Sequence, residues 1–108
     1  MKLTLSIIQR LKVLVLLNDF KGSYEDLSEV LKIVEKIKVR EEEAKSIEMK
    51  TEENKITWKQ DKEVPLEVDM TKDEKKILMT LLDKMDKDGK FGVEDKPLAD
   101  VYEELKKI

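Results

Sequence analysis

The chain has no cysteine and no histidine. The first absence excludes disulfides and thiolate metal sites. The second removes the commonest general acid/base, the commonest transition-metal ligand and the usual partner of a nucleophilic Ser or Cys. Ser6, Ser23, Ser28 and Ser46 therefore have nothing to activate them. Glycine is equally scarce, with three in the chain, and no G-x-G-x-x-G, Walker A loop or G-x-S-x-G is present. No long hydrophobic run occurs. "MKLTLSIIQRLKVLVLL" is interrupted by Gln9, Arg10 and Lys12 and lacks a small-residue cleavage site, so it reads neither as a signal peptide nor as a bilayer span. These absences lead us to expect a protein without cofactor, without catalytic activity and without a membrane partner, located in the cytoplasm.

Charge, by contrast, is abundant. Charged residues make up 44 % of the chain, yet the net charge is only −3 because Lys and Glu are interleaved. A nucleic-acid binder concentrates positive charge on one face; here acidic neighbours accompany the lysines almost everywhere, so no nucleic-acid partner is expected. At 108 residues the chain suits one domain, 1–108, with a modest core and no need of a staple.

Hydropathy patterning divides that domain. "KLTL" (2–5) alternates and suits a short N-terminal strand. From Ser6 the spacing becomes helical, with two apolar stripes: Ile7, Ile8, Leu11, Leu14 and Val15 on one face, Val13, Leu16, Leu17 and Phe20 on the other. A surface helix has one stripe. The second stripe is thus a candidate surface for self-association or a protein partner, its rival reading being burial by other helices. The β-branched residues of "KVLVLL" leave a strand open there.

"NDFKGS" (18–23) reads as a turn with Gly22 as its permissive residue, and Ser23 as the N-cap of a second helix. That helix carries Leu27, Val30, Leu31, Val34 and Ile37 on one face, and "REEEAKS" (40–46) adds a further polar turn. Period two then takes over at Ile47 and Met49, at Ile56 and Trp58, and at Val64, Leu66 and Val68. With "EENK" (52–55) as a hairpin turn, this predicts a three-stranded antiparallel meander with Trp58 on its core face; Pro65 places its strand at an edge or after it. Thr71 and Glu74 form a capping box that opens a helix carrying Ile77, Leu78, Leu81, Leu82 and Met85. Pro97 marks the start of a last helix with Leu98, Val101, Tyr102 and Leu105 as its stripe. The expected fold is α+β, a two-layer domain with about four helices on one side of the sheet.

"DKMDKDGKFGVEDK" (83–96) invites comparison with a calcium loop. With Gly89 at the sixth position, Asp86 and Asp88 fall on ligand positions. Lys84, however, takes the first carboxylate's place, Gly92 has no side-chain oxygen, and Asp95 replaces the long terminal Glu. The loop is therefore expected to be a helix–turn–helix connection that binds no calcium: Gly89 stops the helix in a left-handed conformation and Phe91 folds back onto the apolar layer. Paired carboxylates for hydrolysis are arithmetically possible, but nothing singles out two of them.

The order of "LLNDFKG", the acidic run Glu41–Glu43, "KITWK", "EVPLEVDM" and "DKDGKF" resembles small, mostly uncharacterised accessory and structural proteins of tailed bacteriophages and prophages. The resemblance implies a phage assembly or virion-associated role, in host cytoplasm or virion. The alternative is a phage-encoded inhibitor presenting carboxylates to a host defence or metabolic enzyme. In either case the expected protein contacts are Val13, Leu16, Leu17 and Phe20.

Overall fold

Side-chain caps set where the helices begin. The computed structural model describes all residues, Met1–Ile108. After strand β1 (Lys2–Leu5), Ser6 caps α1 (Ile7–Asn18): its Oγ accepts from the Gln9 N–H, and the Gln9 side chain accepts from the Ser6 N–H. Ser23 caps α2 (Tyr24–Ile37) by accepting from the Asp26 N–H at 3.2 Å. Thr71 and Glu74 form the expected box at the start of α4 (Lys72–Lys87). Pro97 stands in the first turn of α5 (Lys96–Lys107). A short helix α3 (Glu41–Ser46) follows α2 as a separate element.

The turn before α5 takes the expected form. Gly89 has φ +63°, and Phe91 folds back so that its ring stacks on Tyr102 at 5.8 Å. Gly22 answers to a different need. Its φ is not positive; a Cβ there would stand 2.6 Å from the Phe20 ring.

The sheet departs from expectation. There is no three-stranded meander. β1 pairs antiparallel with β4 (Leu66–Asp69), in the register Leu3↔Val68 and Leu5↔Leu66. β2 (Lys50–Glu52) pairs only with β3 (Lys55–Thr57), as a separate hairpin. The expected strand around Val64 starts at Leu66 instead, directly after Pro65, whose missing N–H and fixed φ suit the residue before a ladder. Ile47, expected in a strand, is buried at the end of α3. Trp58 lies just beyond β3, half-buried, and its Nε1 donates to Glu63 Oε1 at 2.9 Å. It is not part of the main core.

That core lies between the inner face of the β1–β4 sheet (Leu3, Leu5, Val68) and four long helices, α1, α2, α4 and α5. Leu82 and Leu105 are wholly buried at its centre. Burial of each such leucine stabilises the fold by about 1.5–3 kcal/mol. All four residues expected on the α5 stripe are buried, whereas the buried face of α2 is Val30, Ile33 and Ile37, which leaves Leu27 and Leu31 exposed.

Two charged side chains enter the interior. Arg10, 1 % exposed, donates through Nε to the Ile37 carbonyl at 2.8 Å and through Nη2 to the Lys38 carbonyl at 2.9 Å. Its guanidinium also pairs with both oxygens of Glu43, at 2.5 and 2.8 Å. Arg10 thus satisfies carbonyls left open at the end of α2 and fastens α3 to α1. Glu74, 0 % exposed, accepts at Oε1 from Lys36 at 2.6 Å and from the Thr71 N–H at 2.8 Å. Lys36 donates also to the Asp69 carbonyl at 2.9 Å, so α2, the end of β4 and the start of α4 meet at one point.

Candidate docking groove

The second stripe of α1 does not act as one surface. Val13 and Leu17 are core residues, buried with Ile7 and Arg10 against the other helices. A partner cannot reach them without opening the domain. Leu16 and Phe20 are half-buried and pack on the edge of the core. The first stripe is divided as well: Ile7 is buried, whereas Val15 is 64 % exposed and Ile8 is also exposed. The physical cause is Arg10. With its donors committed to α2 and α3, it turns the face Ile7–Arg10–Val13–Leu17 inward, and Val15 points out.

Leu16 and Phe20 border a groove of about 620 Å³ between α1, α4 and the start of α5, whose apolar lining is completed by Val15, Leu81, Met85 and Leu98. Its rim is mixed in charge: Lys12 stands 3.8 Å from Asp95, while Lys21, Lys84 and Lys90, like Asp19 and Asp88, make no ion pair. A second cleft, of about 700 Å³, adjoins the first through the shared residues Phe20 and Leu81. Glu25, Asp26 and Asp73 line it without a cationic partner, beside Tyr24, which is 86 % exposed. These three carboxylates occupy the first turns of α2 and α4, where the helix dipoles favour negative charge. The combined groove therefore has an apolar floor, one end where acidic residues outnumber Lys76, and one end of mixed charge where four lysines stand among Asp19, Asp88 and Asp95.

Sequence reasoning missed Val15, Tyr24 and Leu81 as parts of this surface. Val15 was assigned to the opposite stripe, and Tyr24 sits at a helix start where an exposed aromatic leaves no periodic signal.

Several titratable groups outside the groove are bound into structure. Glu43 is held below the usual carboxylate range by its hydrogen bond to the Arg10 guanidinium. Burial opposes the charge on Glu74, but hydrogen bonds from Lys36 and the Thr71 N–H outweigh it and hold that carboxyl low as well. Glu48 bridges Lys59 and Lys62 at the base of the hairpin, and its pKa falls to about 2 through those two hydrogen bonds. The Tyr102 hydroxyl donates to Asp83, which pushes its pKa up to about 12. In the loop compared with a calcium site, Asp83 is thus engaged by Tyr102, and Asp95 accepts from the Gly92 N–H at 3.0 Å. No three carboxylates converge anywhere in the fold with the geometry of a metal centre. No helix is long and apolar enough to cross a membrane.

Comparison of the chain with protein-family models, with curated proteins and with solved structures finds no match in any of the three.

Proposed function

We propose that the protein is a non-catalytic binding module whose groove along α1 and α4 receives an amphipathic helix of a partner protein. The observation that carries this reading is the joining of two clefts over Phe20 and Leu81 into one apolar-floored groove with an acidic cluster at one end and a rim of mixed charge at the other. Helix-in-groove recognition uses such a floor for affinity and such a rim for orientation. The partner helix would lay its apolar face on the floor and its basic end against Glu25, Asp26 and Asp73. The placement in phage assembly or a virion rests on the sequence resemblance alone. The inhibitor reading draws on the same unpaired carboxylates, offered to the basic site of a host enzyme.

Val15→Asp tests the groove, because a side chain this exposed can be replaced without unfolding the domain. Proteins recovered by the wild type from phage-producing cells are compared with those recovered by the variant. A protein retained by the wild type and lost with Val15→Asp supports the groove. Equal recovery by both contradicts it. Virion or tail proteins in the retained fraction favour assembly, and a single host enzyme favours inhibition.

A further inference from the structure

The β2–β3 hairpin shares no residue with the groove, and it raises a separate question. None of its six strand residues is buried. A two-stranded hairpin with no covered face is marginal in water, and its open edges are templates for another strand.

The turn geometry shows which groups face outward. Glu53 and Asn54 have φ of 44° and 69°, so a two-residue turn of the I′ kind joins the strands. The residues flanking such a turn, Glu52 and Lys55, exchange both of their backbone hydrogen bonds. By the antiparallel alternation, the next pair, Thr51↔Ile56, is the one that does not. The N–H and C=O of Thr51 therefore point away from β3, along the free edge of β2.

Lys50 and Glu52 flank Thr51 with opposite charges. We propose that β2 pairs antiparallel with β2 of a second copy of this chain, about a twofold axis through Thr51. The two Thr51 residues then exchange N–H···O=C bonds. Lys50 faces the partner's Glu52, and Glu52 faces the partner's Lys50. An isologous interface requires this kind of self-complementarity. A lysine on an edge strand ordinarily discourages pairing; here the acid two positions along turns repulsion into attraction for this one register. The β3 edge has no such match, since an axis through Ile56 sets Lys55 against Thr57. The ladder is short, because the Met49 N–H is already given to the Ala44 carbonyl at 2.8 Å. Its buried area falls far below the ~1,600 Å² of a standard interface, so the dimer is weak.

Sedimentation equilibrium at low ionic strength, from about 10 µM to about 1 mM, tests this. The wild type dimerises reversibly. Lys50→Glu sets a carboxylate opposite the partner's Glu52 and weakens the dimer about tenfold or more. The double variant Glu52→Lys, Lys55→Glu keeps opposite charges within its own hairpin but sets two lysine ammoniums opposed across the axis, and it weakens to a similar extent. An equimolar mixture of the two variants regains wild-type strength, because each supplies the charge the other lacks. Circular dichroism confirms that both variants are folded. The proposal is overturned by a wild type that stays monomeric at about 1 mM, or by a mixture no tighter than its components. It is equally overturned by a dimer that ignores both hairpin variants and dissolves with Val15→Asp, which would place self-association in the groove.

Discussion

The two sheets are of nearly equal size and have opposite fates. β1–β4 and β2–β3 are each antiparallel pairs of three or four residues per strand. The first buries Leu3, Leu5 and Val68 under four helices, and the second buries nothing. The first joins residues more than sixty positions apart, the second residues three to seven apart. A strand is thus stabilised here by what covers its face more than by the ladder itself. The long-range pair belongs to the cooperative body; the local pair is an appendage held at its base by Glu48, Lys59 and Lys62.

Substitutions should divide along that line. The largest effect is expected from Arg10→Ala, which leaves the Ile37 and Lys38 carbonyls open and Glu43 unpaired. Loss of about 3–5 kcal/mol in urea unfolding is expected. Leu82→Ala empties the centre of the body and should cost about 2–5 kcal/mol, from lost burial of the removed atoms together with the cavity left behind. Thr71→Ala removes one cap of α4 and should cost about 1 kcal/mol. At the other extreme, Ile56→Ser in the hairpin changes an exposed side chain and should alter global stability by less than about 0.5 kcal/mol. A hairpin substitution as damaging as Leu82→Ala would erase the distinction between the two regions.

Acid should act on the body. Glu43 and Glu74 both have pKa values lowered by folding. Their contribution to stability is therefore complete above the ordinary glutamate value and is lost as pH falls through the lower folded values. The melting temperature should be level from about pH 7 to about pH 5 and fall below that. Arg10→Met removes the cause at Glu43 and should make the acid limb shallower, whereas Ile56→Ser should leave it unchanged.

The helices were legible because their signals are local. Ser23, the Thr71–Glu74 box, Gly89 and Pro97 act within one turn of where they stand, and the α5 stripe is uninterrupted. Three things were not legible. The partner of β1 lies far along the chain, and alternation in "KLTL" carries no address. The alternation around Ile56 and Trp58 matched a core strand, yet the pattern records which residues share a face, not whether anything covers that face. On α1 both stripes are apolar, and the inward face, which takes residues from each, is marked by Arg10, a residue that periodicity scores as solvent-facing. A buried arginine with bidentate and carbonyl partners cut across both stripes and divided the expected docking residues: Val13 and Leu17 joined Ile7 inside, and Leu16 and Phe20 went to the groove.

Native-state hydrogen exchange, at a concentration of about 5 µM or less to keep the chain monomeric, compares the two sheets most directly. The amides of Leu3, Val68 and Leu82 should exchange only through global unfolding, and those of Glu52 and Lys55 through local opening, at least about a hundredfold faster. Hairpin amides as protected as that of Val68 would contradict the account, since they would show the arm to be part of the cooperative body.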